Sequence, residues 1–328
     1  MKPTQNQTSS KKTLLAAAVI AACSFAVSAH AQSNVTVFGQ ISLSLTKSSG
    51  TATRLQTTGF GSGIGFRGTE DLGGGLSAFY HIENRFDADT GAAGNPFWAE
   101  KTLVGLGGSF GRIQFGRFAN AFDDIIGMAD AFGESVAQPT TERGLGETKW
   151  ANSIGYYTPA FGGFSAALTT ATKETVAAGT GSPLVTKNPY AFNVKYAQGP
   201  LAVALGYVKN GENDIKTVSL AGNYDFGAAK VFAGYTNSSD LGAGMGDARN
   251  AQAGFIVPVS AAGSVRAMFA NFKPNTNVGD RDNKFGLGYW HNVSKRTLIF
   301  TDVARTNSRV AGVSNNTNAF DIGIFHRF

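Results

Sequence analysis

Polar and apolar side chains alternate along most of this chain with a period of two. The clearest stretch is Asn34 to Leu45. Val35, Val37, Ile41, Leu43 and Leu45 fall on one face, and Asn34, Thr36, Gln40, Ser42 and Ser44 on the other. Successive side chains of a strand point to opposite faces, so this segment is a strand with one apolar and one polar surface. Its length matches the roughly 9–11 residues a tilted strand needs to cross a bilayer. Fifteen further segments of this kind follow: 59–69, 76–86, 97–106, 112–118, 150–158, 164–172, 189–198, 201–210, 214–225, 229–237, 248–257, 263–272, 283–292, 296–306 and 317–328. The total is an even sixteen.

The breaks between them alternate in length. Asp71-Leu72-Gly73-Gly74, Gly107-Gly108-Ser109, Pro159-Ala160-Phe161-Gly162, Gln198-Gly199-Pro200, Phe226-Gly227-Ala228 and Val293-Ser294-Lys295 are tight turns, and the others are long, polar and rich in Gly, Asn, Thr and Asp. Short turns at one end and long loops at the other are the stringing of outer-membrane barrels. Closure removes the sheet edges that lipid would leave without hydrogen-bond partners. The fold predicted is an all-β, sixteen-stranded antiparallel transmembrane β-barrel, in one domain. Aromatic residues gather near segment ends: Phe60, Phe86, Trp98, Phe118, Trp150, Tyr156, Tyr157, Phe164, Tyr190, Phe272, Trp290 and Phe328. They are expected to form the two interfacial girdles.

The break from Phe118 to Lys149 is too long for a simple connection, and loops of this length in a compact protein are functional or disordered. It carries Asp123, Asp124, Asp130, Glu134, Glu142 and Glu147 against one base, Arg143, together with the apolar Phe122, Ile125, Ile126 and Phe132. An acidic, partly apolar loop of this kind is suited to fold into a barrel and narrow it.

Composition agrees with many strands and tight turns: 42 Gly, 25 Phe and only 15% charged residues. Residues 1–31 read as a signal peptide. Lys2, Lys11 and Lys12 form a basic start, Thr13 to Val27 is uncharged and apolar, and Ala29-His30-Ala31 offers the small residues a signal peptidase requires. The expected first mature residue is Gln32. Ile20-Ala21-Ala22-Cys23 resembles a lipoprotein cleavage box, although the apolar run continues past Cys23, where a lipoprotein turns polar. Half of the formal charge of +6 lies on the three leader lysines, and no Lys/Arg-rich cluster speaks for nucleic acid.

No constellation for catalysis stands out. His81, His291 and His326 are the histidines beyond the leader, and none has metal-ligand spacing. Cofactors are not expected. Gly63-Ile64-Gly65-Phe66-Arg67-Gly68 has the glycine spacing of a nucleotide-binding loop, but no strand–helix unit follows it. What remains is a polar, charged lumen. Parity puts Glu83 and Arg85 on one face of their strand, with His81, opposite Ala78, Tyr80 and Ile82. It also puts Arg67 with Gly61, Gly63 and Gly65. Fixed charges facing a narrow pore set its ion preference. A barrel hydrolase and a secreted β adhesin or solenoid are the alternative readings, and conductance in a planar bilayer separates them from a channel.

Several stretches resemble the general porins of Gram-negative bacteria. They are Val35-Thr36-Val37-Phe38-Gly39, Gly65 to Leu76, Val104 to Gly111 with Phe115-Gly116-Arg117, Asn152 to Pro159 with Phe161 to Ser165, Ser294 to Thr297, and the closing His326-Arg327-Phe328. They occur in order over the whole chain after the leader. The resemblance implies passive diffusion of ions and small hydrophilic solutes through the outer membrane, among its lipid and lipopolysaccharide. It also implies a homotrimer, a third external loop (Phe118–Lys149) folded into the pore, and recognition of the terminal Phe328 by the assembly machinery. Strongly anion-selective members of the family carry three basic residues at the constriction. Here Gly63 and Glu100 stand at two of those positions, the latter followed by Lys101, and only Lys149 keeps the third. Arg67, Arg85, Arg117 and Arg143 stand against Glu83, Glu100, Asp123, Asp124, Asp130 and Glu134. That tally implies weak selectivity, leaning to cations at low salt.

Overall fold

The computed structural model describes residues 34–133, 135–139, 148–173, 187–211, 215–239, 246–274 and 281–328. The expected leader, with its cleavage site before Gln32, lies outside these. The described chain forms seventeen antiparallel strands: β1 (Asn34–Ser48), β2 (Arg54–Thr57), β3 (Ser62–Gly73), β4 (Leu76–Phe86), β5 (Lys101–Gly108), β6 (Gly111–Ala119), β7 (Lys149–Tyr157), β8 (Phe164–Ala171), β9 (Tyr190–Gln198), β10 (Leu201–Lys209), β11 (Lys216–Asp225), β12 (Lys230–Ser239), β13 (Ala248–Pro258), β14 (Gly263–Pro274), β15 (Arg281–Asn292), β16 (Thr297–Val310) and β17 (Val313–Arg327). From β3 to β17 each strand pairs with the next, and β17 returns to β1 with Gln40 opposite Arg327 and Ser48 opposite Ala319. The sheet is therefore closed.

The barrel has sixteen staves, because β2 and β3 are two halves of one. The upper part of β1 pairs with β2 (Leu43 opposite Thr57) and the lower part with β3 (Asn34 opposite Thr69). The stave breaks at Thr58–Gly61, where Gly61 takes a positive φ of 65° that only glycine adopts without strain. The sequence pattern runs Gly59–Thr69 as one strand, and the break within it is a difference from that expectation. A second difference is at the final hairpin. The loop expected between Thr306 and Thr317 is instead a continuation of both strands, closed by a two-residue turn at Ala311-Gly312 between paired Val310 and Val313. Polar residues occupy both faces there, so the apolar period fades while the backbone ladder goes on.

The barrel is inside-out relative to a water-soluble protein. Val35, Val37, Leu205, Leu220, Phe269 and Ile324 are exposed, whereas Ser42, Ser44, Thr217, Asn193, Asn250 and Gln252 are buried. So much exposed apolar surface is untenable in water and is what a lipid-facing wall requires. No described helix is long and apolar enough to cross a membrane; the strands do the crossing.

The girdle expectation needs correction. Tyr156, Phe164, Tyr190 and Phe328 are exposed on the outer surface, but Phe118, Trp150, Phe272 and Trp290 are buried inside. Phe60 also turns inward at the stave break, with ring centroids 5.3 Å from Trp290 and 5.6 Å from Phe300. Trp150, Trp290 and Phe60 seat the segment that enters the barrel, while Phe272 packs with Ile215 and Ala248.

Candidate functional site

That segment leaves β6 at Ala119. Asn120 starts its first turn by accepting the backbone N–H groups of Phe122 and Asp123 through Oδ1, at 2.9 and 3.1 Å. A single helical turn, α1 (Asp123–Ile126), and a 3₁₀ turn at Gly127–Ala129 follow. The segment then runs along the inner wall. Phe122 and Ile125 pack on Trp150, Ala167, Ala171, Ala191, Ala204 and Val208 of β7 to β10. Phe132 and Ala137 pack on Phe232, Met268, Trp290 and Phe300 of β12 to β16. The wall is cut away to receive it. A Cβ on Gly206 would lie 2.5 Å from Ile125, one on Gly234 2.7 Å from Ala129, and one on Gly286 2.7 Å from Ala137.

Wall side chains also tie the segment down by its backbone. Asn193 donates to the carbonyl of Ala121. Asn223 donates to Met128 at 2.9 Å, Gln252 to Ala129 at 2.9 Å and Arg266 to Ala131 at 2.7 Å. The N–H of Val136 donates to Asp321 at 3.3 Å. Trp290 is itself held by Asp302, 3.0 Å from its Nε1, and is capped by the Arg266 guanidinium 3.6 Å from its ring centroid. Arg266, Trp290, Asp302 and Asp321 were not among the residues the sequence pointed to. Their signal is charge within otherwise apolar strands at inward parity. The acid Asp130 serves the segment's own shape, accepting the N–H of Phe132 at 2.7 Å.

With β7 to β17 covered in this way, the open lumen is left against β3 to β6. Here the structure brings four of the sequence-selected charges together. Arg85 Nη2 lies 3.4 Å from Glu83 and 3.2 Å from Glu100, and Lys149 Nζ lies 3.1 Å from the other Glu100 oxygen. His81 Nε2 bonds Glu83 at 2.9 Å. Parity holds for this group: Ile64 and Phe66 face out, leaving Gly63, Gly65 and Arg67 inside. Arg117 stands at the end of β6, beside a register shift between Gly116 and Phe118, and donates to the carbonyls of Ala99 and Lys149 at 2.7 and 2.9 Å. Lys101 lines the lumen with Asp124. Glu134 and Arg143 lie outside the described residues.

The loop carboxylates sit in contrasting environments. Burial pushes the Glu100 carboxyl up, but the hydrogen bond from Arg85 and the charges of Lys149 and Arg85 outweigh it and hold the group below its ordinary value. Asp123 and Asp124 are both raised, chiefly by burial. Asp123 is only partly relieved by Thr148 and Lys149, and Asp124 is partly relieved by Lys195 while repelled by Asp123. Among the described residues, no group of three or more His, Cys, Asp or Glu side chains is placed to hold a metal ion.

On the short-turn side of this charge cluster the lumen widens into a recess of about 820 Å³. Arg112 and Lys195, which the sequence tally omitted, line it with Arg67 and Lys101. The four ion-paired groups set two cations against two carboxylates, and the recess sets four cations against the single carboxylate of Asp124.

Residues 16–311 match the Gram-negative porin family. The chain is 30% identical over 322 residues to outer membrane porin protein 32 of Delftia acidovorans, covering 90% of this chain and 89% of the relative. It is 27% identical to an outer membrane porin protein of Bordetella pertussis, covering 97% of this chain and all of the relative. Among solved structures it is similar to an anion-selective porin from Comamonas acidovorans, with a TM-score of 0.77 and 27% identity over 90% of this chain and 100% of that one. OmpT of Vibrio cholerae with loop 8 deleted shares the fold alone, at a TM-score of 0.73 and 15% identity over 90% of this chain and 99% of that one.

Proposed function

The chain belongs to the Gram-negative porin family, and from that footing we propose how this outer-membrane channel works: as a weakly ion-selective, passive diffusion pore that catalyses nothing. The observation that carries the reading is the inserted segment facing the Glu83–Arg85–Glu100–Lys149 chain across the lumen. A polar wall with paired charges lets hydrated ions and small hydrophilic solutes pass while offering little net field to sort them. The solved relative is described as anion-selective. In this chain Glu100 sits on Arg85 and Lys149 and neutralises the positive charge such a preference needs. The proposed lining is Arg67, Glu83, Arg85, Glu100, Lys101, Asp123, Asp124 and Lys149, with Arg117 and Asp130 at its margins. The zero-current potential across a KCl gradient tests this. A potential near zero supports it, and a strongly anionic one overturns it.

The protein is further proposed to be a homotrimer whose chains begin at Gln32, with Phe328 as the signal read on assembly. Trimeric assembly is supported by family membership, and the start by the Ala29-His30-Ala31 site. Native mass spectrometry of the outer-membrane protein in detergent should give three chains, each starting at Gln32. A monomer, or a lipid-bearing chain starting at Cys23, would contradict the proposal.

The raised carboxyls of Asp123 and Asp124 predict a pH response. Carboxyls raised from their ordinary value take up protons before Glu100, which is held below its own, as pH falls. The lumen then loses negative charge, and the zero-current potential should move toward anions as pH falls. In the double variant Asp123→Asn, Asp124→Asn this early part of the shift should vanish. A response unchanged in the double variant would refute the assignment.

A further inference from the structure

The basic recess below the constriction is built differently from the rest of the lumen. Its two arginines lie against aromatic rings. The Arg112 guanidinium carbon is 4.5 Å from the Tyr157 ring centroid and 5.6 Å from that of Phe79. That of Arg67 is 5.0 Å from the Phe38 centroid, and Phe38 in turn meets His81 edge-on at 5.1 Å. Lys101 and Lys195 complete the lining, and the one carboxylate on it is Asp124. None of the four cations forms an ion pair among the described residues, in contrast to Arg85 and Lys149 just above.

We propose that this recess is a transit subsite for aromatic carboxylates, holding a planar ring against Tyr157 and Phe79 and its carboxylate on Arg112 and Arg67. The inference rests on the porin reading above and adds a solute class to it. A guanidinium stacked on a ring keeps its N–H edge free, and that edge matches a carboxylate in a two-pronged contact. A benzoate-sized anion therefore finds both of its chemical halves answered at once. A simple inorganic anion finds only the charge, and a neutral aromatic only the rings. A few such contacts are strong enough to favour entry and weak enough to allow exit, as a diffusion channel requires. Tyr157 lies close enough to Gln114, whose Nε2 donates to its hydroxyl at 3.4 Å, to be held as a fixed face.

The test is single-channel recording in KCl with sodium benzoate added on the short-turn side, against cyclohexanecarboxylate, acetate and benzyl alcohol at matched ionic strength. Benzoate should interrupt the current briefly and in proportion to its concentration. Cyclohexanecarboxylate should do so less, and acetate and benzyl alcohol hardly at all. In Arg112→Gln and in Tyr157→Leu, the benzoate interruptions should shorten by roughly tenfold, the size expected from losing one ring–cation contact. Benzoate acting no more than acetate, or equally with cyclohexanecarboxylate, or unchanged in both variants, would overturn the subsite. Loss of the KCl steps themselves in the unaltered protein would instead overturn the porin reading beneath it.

Discussion

Glu100→Arg should convert the channel from weak to strong anion selectivity. In the native protein one carboxylate answers two cations, with Arg85 at 3.2 Å and Lys149 at 3.1 Å. The substitution removes that carboxylate and adds a guanidinium, a swing of two charges within the ion-paired cluster on the lumen wall. Glu83, already shared between His81 and Arg85, is then the one acid left in the cluster on that wall. Confinement and partial burial make such charges act more strongly than in bulk water. A tenfold change in the permeability ratio needs only about 1.4 kcal/mol, well within reach of two unit charges. The measurement is the zero-current potential across a KCl gradient at low salt, where screening is least. Glu100→Gln, which adds no cation, should give a shift in the same direction and about half the size. An unchanged potential in both variants would remove Glu100 from the conduction path.

Gly286→Val should lower conductance without opening the barrel. The Cβ of the new residue would lie 2.7 Å from both the Cβ and the carbonyl oxygen of Ala137, closer than such atoms approach. One partner must yield. β15 is hydrogen-bonded along its whole length, to β14 on one side and β16 on the other, whereas the inserted segment is held by side-chain contacts and a few backbone bonds. The segment therefore moves off the wall and into the lumen. Overpacking of this kind costs about 1–3 kcal/mol, enough to displace a loop and too little to unfold a closed barrel. Single-channel conductance should fall roughly by half, with added noise, because lumen width sets the current. Leu287→Val, one residue along and facing lipid, is the control and should leave conductance unaltered. Equal conductance in Gly286→Val and the native protein would contradict the role given to the glycine seat.

The barrel was largely legible in the chain because lipid outside and water inside impose the same alternation on every stave. Sixteen apolar–polar segments and their alternating short and long breaks follow directly from that. Inward placement of His81, Glu83 and Arg85 was legible too, since parity is reliable within an uninterrupted strand. Parity fails where register shifts. Opposite Gly116–Phe118, β7 runs three residues from Trp150 to Ser153 against two on β6, and this extra residue turns Trp150 inside, since one slipped residue exchanges the two faces. The break at Thr58–Gly61 does the same for Phe60. Aromatic residues near strand ends therefore look alike in sequence whether they float at the interface, as Tyr156 and Phe164 do, or seat the inserted segment, as Trp150 and Trp290 do. Which wall the segment covers depends on glycines and alanines scattered over five strands, and no local pattern joins them. Lys195 was within reach, two residues from the inward Asn193, but nothing in its own strand marks its meeting with Arg67 and Arg112 across the recess.

The central claim is a water-filled conduit through a closed barrel, narrowed but not sealed by its third loop. Reconstitution of the purified protein into a planar bilayer tests it most directly. Stepwise, ohmic openings whose size scales with the bulk conductivity of KCl are the predicted result. A membrane that stays electrically silent with correctly folded protein inserted would contradict it.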